Sequence, residues 1–177
     1  MCGIFSYFGP RQNVEELVIK GLKNLEYRVY DSWGIAYRSA NGIHVEKKVG
    51  KIGERELPKH PVMTGLPLNI ALGHSRWATH GGVTEINAHP HMTEDKEVVL
   101  VHNGIVENFF ELKEELMKNG VKFRSETDTE VIVHLIKLYL HEGFEEAVKK
   151  ALKRIKGRFA IVVLTKSENK LIAARLG

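Results

Sequence analysis

An α+β domain built on antiparallel sheets is what this sequence predicts, and three patterns predict it. Apolar residues recur at helical spacing in Val14, Leu17, Val18, Gly21, Leu22 and Leu25, again over about 127–140, and in Phe144, Ala147, Val148, Ala151, Leu152 and Ile155. Short strand-like runs lie around them at 2–8, 33–38, 43–49, 68–74, 97–102, 158–165 and 170–174. Some of these runs are joined by turn residues alone, Asn41-Gly42 and Ser167–Asn169, which makes the flanking strands antiparallel neighbours.

Taken in order, residues 2–8 form an apolar strand closed by Gly9-Pro10. Asn13 with Glu16 has the spacing of a capping box and opens the first helix. Residues 25–32 read as a polar loop, and 33–38 with 43–49 as a hairpin. The three prolines within 50–67 leave room only for a short helix and loop. Leu112 and Leu116 indicate a helix stopped by Asn119-Gly120. Ser125 with Asp128 gives a second capping box, ahead of the helix over 127–140. Gly157 ends the last helix.

The chain has 177 residues, enough for one domain with a real core. Its single cysteine excludes an intramolecular disulfide and suits a reducing, cytoplasmic setting. The apolar N-terminal run is short and has no basic segment ahead of it, which argues against a signal peptide. No window has the length of a membrane span. The net charge of +4 is modest, and Lys149, Lys150, Lys153, Arg154, Lys156 and Arg158 surround one helix. A solvated helix face accounts for them, so neither nucleic acid nor membrane is expected as a partner.

Residues 74–91 break the pattern. Arg, Trp, Thr, His and a Gly pair follow one another with neither period, as in a functional loop. Cys2 is the second candidate feature. Removal of Met1 would leave it with a thiol and a free α-amine, whose reference pKa of about 7.7–8.0 suits a base for its own side chain. The plainer reading makes Cys2 a small buried apolar residue. Asn103-Gly104 offers a side-chain amide and a backbone N–H for a developing oxyanion, although Asn-Gly is also a hairpin turn signal. Arg76 pairs well with an α-carboxylate and Asp128 with an α-ammonium, the two ends of an amino acid. A metal site is the rival reading of His74, His80, His89, His91 and His102, without the sulfur or HExxH helix that would support it.

Seven segments carry a resemblance. Met1-Cys2-Gly3-Ile4, Leu25-Glu26-Tyr27-Arg28, Tyr30-Asp31-Ser32, residues 73–81 (GHSRWATHG), 87–91 (NAHPH), 101–108 (VHNGIVEN) and 125–130 (SETDTE) resemble, in that order, the class II glutamine amidotransferase domain. The RWATHG and NAHPH wording resembles in particular the glutaminase half of the enzymes that make glucosamine 6-phosphate. It separates the chain from the similar domains of asparagine synthetase and the purine amidotransferase.

The resemblance implies an N-terminal-nucleophile fold, a four-layer αββα sandwich of two antiparallel sheets. It implies hydrolysis of L-glutamine to glutamate and ammonia through a γ-glutamyl thioester, with no cofactor and no metal. Carried over by position, Cys2 is the nucleophile and Asn103 and Gly104 form the oxyanion hole. Arg76, Trp77, Thr79, His80 and Asp128 bind glutamine, and Arg28 supports the Cys2 region. The ammonia acceptor, fructose 6-phosphate, belongs to sugar-phosphate domains absent from residues 1–177.

By the same resemblance the domain is incomplete at its C-terminus, which predicts exposed sheet edges and pairing with a second copy. Val29 stands where the family has Gly, and Trp33 where it has a small residue. These departures predict strain at 29 and bulk near Cys2, hence lowered activity. Two further readings stay open: an N-terminal-Cys hydrolase of another amide, and a catalytically silent interaction module.

Overall fold

The helix and strand stripes have one way to bury themselves together, as stacked layers with an apolar face at every contact. A computed structural model describes residues 2–28, 31–56, 66 and 69–177, with Arg28 and Glu54 described for their backbone only. Among these residues two four-stranded antiparallel sheets are formed. The first has the order β1-β4-β2-β3, from β1 (Gly3–Gly9), β2 (Ser32–Ser39), β3 (Gly42–Val49) and β4 (Asn69–Arg76). The second has the order β5-β6-β7-β8, from β5 (His91–Met92), β6 (Val98–Gly104), β7 (Phe159–Thr165) and β8 (Leu171–Leu176).

Helix α1 (Val14–Leu25) covers the first sheet. Helices α2 (Phe109–Lys118), α3 (Thr129–Tyr139) and α4 (Phe144–Arg154) lie on the side of the second. Three apolar clusters fill the three spaces between layers. Val14, Val18, Ile19 and Leu22 of α1 meet Ile35, Tyr37 and Ala71. Ala36, Ile70 and Leu72 of the first sheet meet Val99, Val101, Val162 and Leu164 of the second. Leu100, Ile161 and Val163 meet the stripes of the three helices, including Leu112, Ile132, Ile136, Phe144 and Ala151. The alternation of β2 explains this division: Ile35 and Tyr37 face α1, while Ala36 faces the other sheet. The expected αββα sandwich is therefore the observed one.

Local signals hold with three corrections. Asn13 precedes α1, but its side chain donates to the Glu16 carboxylate (3.0 Å) and caps no backbone N–H. Ser125 and Asp128 do not form a box. Ser125 instead places its N–H and hydroxyl on Glu130 (2.7 and 2.6 Å), and α3 starts at Thr129, later than expected. Asn103-Gly104 is no hairpin turn but the end of β6, paired with Ala160 and Phe159. The region 50–67 begins with a turn of 3₁₀ helix at Ile52–Glu54; residues 57–65 and 67–68, like Val29 and Tyr30, lie outside the described residues. The basic face of α4 is tied down by acids, with Lys149 on Glu146, Lys150 on Glu142 and Arg154 on Glu115.

Gly34 fixes how closely the aperiodic loop approaches the first sheet. A Cβ there would stand 2.1 Å from the backbone oxygen of His89 and 2.8 Å from that of Glu46. Backbone oxygens in a sheet and a packed loop yield poorly. Gly34→Ala should therefore cost about 1–3 kcal/mol, with Tm lower by about 2–4 °C for each kcal/mol, in a thermal melt against the parent.

Candidate active site

Cys2 immediately precedes β1, and the pairing of Gly3 with Ser75 of β4 brings the residues after β4 alongside it. The backbone N–H of Trp77 donates to Cys2 Sγ at 3.1 Å, and the thiol faces the Trp77 carbonyl at 3.6 Å. Asp31 anchors this loop by accepting the Ala78 N–H at 3.0 Å. Sequence reasoning quoted Asp31 within a motif but gave it no task; its place just before β2, the strand paired with β4, brings it to this loop.

From the second sheet, β6 delivers Asn103 and Gly104 to the same place. Asn103 Nδ2 donates to the Cys2 carbonyl at 3.3 Å, and its Oδ1 lies 2.8 Å from His74 Nε2. Gly104 has φ +140°, and a Cβ would lie 2.2 Å from the Arg158 oxygen. A side chain at 104 is therefore both strained and blocked, which explains the glycine better than a turn does.

Arg76 and Asp128 are both buried, at 3 and 4% exposure. The Arg76 guanidinium donates to the carbonyls of His80, Gly81 and Gly82 and so shapes the loop that follows it. Desolvation lowers its pKa, with the acidic groups of Cys2, Asp31 and Asp128 opposing. Asp128 accepts the Val106 N–H at 2.7 Å. The His80 ring lies 6.3 Å from that of Phe109 at the start of α2. Trp77 and Thr79 are exposed at the rim.

Cys2, Arg76, Trp77, Thr79, His80, Asn103, Gly104 and Asp128 all line one cavity of about 520 Å³, a volume suited to a small metabolite. The side chain of Arg28 lies outside what the structure describes. Trp33, expected near Cys2, packs in the core beneath α1 and lines no part of this cavity.

Sequence reasoning missed the inner wall, to which His89, His102 and Thr129 belong. The Thr129 hydroxyl bridges His102 Nδ1 (2.9 Å) and His89 Nε2 (3.0 Å), and Thr127 meets His91 Nε2 at 2.9 Å. The signal for it is the run of histidines, for which a metal site is only the rival reading. Among the described residues no three His, Cys, Asp or Glu side chains converge to hold a metal, and His74, His89, His91 and His102 meet hydroxyls, a backbone oxygen, an amide and each other's rings. Burial pushes His74 down to about 3 and His102 to about 4, and lowers His89 and His91 well below the ordinary value. All four are therefore neutral near pH 7.

The two stacked sheets, with a thiol and an Asn-Gly pair meeting between their ends, define an amidotransferase of the N-terminal-nucleophile kind. Glutamine phosphoribosylpyrophosphate amidotransferase from B. subtilis superposes with a TM-score of 0.80 at 26% identity, covering 99% of this chain and 37% of that one. A second solved structure, described as the allosteric regulatory enzyme of purine biosynthesis, gives 0.82 at 28% identity, with 99% of this chain and 37% of that one covered. A family model described as a glutamine amidotransferase domain matches residues 44–176, and the chain belongs to that family.

Among its relatives, the glutamine–fructose-6-phosphate aminotransferase (isomerizing) of Aquifex aeolicus is 51% identical over 178 residues, covering all of this chain and 30% of that protein. The protein of the same name from Thermus thermophilus is 47% identical over 175 residues, covering 99% of this chain and 28% of that protein. The chain thus spans under a third of the length of these relatives.

The buried histidines set an acid limit on stability. Each has a folded pKa below its unfolded value near 6.5, so the unfolded chain takes up protons first as pH falls. Their contribution is complete above 6.5 and is lost below it, by up to about 1.4 kcal/mol per pH unit per histidine until the folded pKa is reached. Glu130 follows later. Burial would raise its carboxyl, but bonds from His134, Ser125 and the Arg124 and Ser125 amides outweigh that and hold it at about 2. Urea midpoints measured from pH 8 to 4 should begin to fall below pH 6.5; a flat profile down to pH 5 would contradict this assignment.

Proposed function

We propose that the chain hydrolyses L-glutamine to glutamate and ammonia, with Met1 removed and Cys2 as nucleophile. The α-amine of Cys2 takes the thiol proton, and sulfur attacks the γ-carbonyl carbon. Asn103 Nδ2–H and the Gly104 N–H receive the oxyanion. The α-ammonium protonates the leaving amide nitrogen, ammonia departs, and water cleaves the γ-glutamyl thioester. Arg76 and Asp128 provide buried positive and negative poles for the carboxylate and ammonium of the substrate. Trp77, Thr79 and His80 close the rim, and Arg28 supports the Cys2 region.

One observation carries this reading: Cys2, the Asn103-Gly104 donors and the Arg76/Asp128 poles share a single cavity. The two poles favour an amino acid over a simple amide. The printed name of the relatives supports fructose 6-phosphate as ammonia acceptor, and their greater length supports its binding by domains outside residues 1–177.

A glutaminase assay on protein whose intact mass shows Met1 removed tests it. Cys2→Ala should abolish turnover and the mass adduct left by a glutamine-like electrophile. Asn103→Ala should lower kcat by about 10²–10³-fold, and Asp128→Asn should act chiefly on KM. Activity surviving Cys2→Ala would sink the reading.

Pairing with a second copy through a sheet edge is supported by β8. Among the described residues it bonds to β7 alone and leaves Leu176 exposed. Light scattering should return a dimer or larger species at working concentration, and a clean monomer removes this part of the proposal.

A further inference from the structure

His74 is wholly buried in β4, between the two sheets, and takes no part in the chemistry above. It lies opposite Ile4 of β1 and Gly34 of β2, yet its ring reaches the second sheet. His74 Nε2 lies 3.1 Å from the backbone oxygen of His102 and 2.8 Å from Oδ1 of Asn103. A backbone carbonyl only accepts, so the nitrogen facing it carries the proton. That same N–H then requires an acceptor on Asn103, which fixes the amide oxygen on the His74 side.

The other half of the amide obeys the same logic. Asn103 Nδ2 faces the Cys2 carbonyl at 3.3 Å, another group that only accepts. A flipped amide would set N–H against N–H at His74 and oxygen against oxygen at Cys2. Two backbone carbonyls, one on β6 and one beside the nucleophile, thus bracket the pair and leave it one arrangement. The ring is held in place against that of His89, with centroids 4.1 Å apart and planes tilted by 32°. Among the described residues its Nδ1 has no hydrogen-bond partner, so none of them competes for the other tautomer.

We infer that His74 is a positioning residue, whose Nε2–H locks the Asn103 amide with its NH2 group toward Cys2. This rests on the glutaminase reading, in which Asn103 donates to the oxyanion. Without the lock the amide can present its oxygen to the developing negative charge, which removes a donor and adds a repulsion.

The test compares the parent with His74→Phe, which keeps a ring against His89 without a donor, and His74→Gln, whose amide nitrogen reaches the place of Nε2. His74→Phe should lower kcat for glutamine by about 10–100-fold with KM within about twofold. His74→Gln should hold kcat within about fivefold of the parent. Adding His74→Phe to Asn103→Ala should cost nothing further. Alkylation of Cys2 by iodoacetamide, which displaces iodide and forms no oxyanion, should run at the parent rate in both variants.

Full kcat in His74→Phe, equal losses in both variants, or a parallel fall in alkylation would overturn the inference. In the unmodified protein the imidazole nitrogen-15 spectrum should show His74 as the Nε2–H tautomer from pH 5 to 8, and the Nδ1–H form would overturn it without any variant. A parent without glutaminase activity would instead defeat the functional reading. Loss in Asn103→Ala with none in His74→Phe would defeat this inference alone.

Discussion

The site depends on one polar seam between two sheets whose remaining contact is apolar. Along most of the interface, Ala36, Ile70 and Leu72 lie against Val99, Val101, Val162 and Leu164, a contact without directional preference. At one end, His74 bonds to the His102 carbonyl and the Asn103 amide, and Asn103 bonds to the carbonyl of Cys2. Hydrogen bonds have direction, and an unmet one in a buried site costs about 1–3 kcal/mol. The seam therefore sets the register of one sheet over the other where the apolar contact alone would tolerate sliding.

From that seam the rest of the cavity follows. β1 and β4 carry the sulfur and the loop that receives it, and β6 carries the paired donors. Helix α3 begins at Thr129, whose hydroxyl ties the ring of His102 on β6 to His89 in the loop. Asp128 precedes that helix and is held by the Val106 amide. Each wall is thus tied to a strand or a helix end, so the aperiodic segment between β4 and β5 is ordered although it has no secondary structure over most of its length.

Burial without charge is the common condition of these parts. The four inner histidines are kept neutral by desolvation, while Arg76 and Asp128 lie buried in the cavity wall. A neutral ring gives one donor and one acceptor, which is what a bracketed amide and a shared hydroxyl require. A charged ring there would add positive potential beside Arg76 and disturb the balance between the two poles.

The strand and helix periods, the hairpin at Asn41-Gly42 and the glycine stops determined the layers, because each element carries one apolar face with its own repeat. Cys2, Arg76, Asn103, Gly104 and Asp128 could be picked out too, since few residue types supply a thiol, a bidentate cation or an exposed backbone N–H. Other matters were not legible in the sequence. Ser125 has the spacing of a cap for Asp128, yet Glu130 is its partner, because that carboxylate gains two donors where the cap would gain one. The resemblance puts Trp33 near Cys2, but strand alternation turns its ring beneath α1. The histidines look like ligands in a row and become a hydrogen-bonded wall. Spacing along a chain fixes which face a residue shares with its neighbours. Which polar group it meets across the sandwich is settled only when two sheets close and every buried donor must find an acceptor.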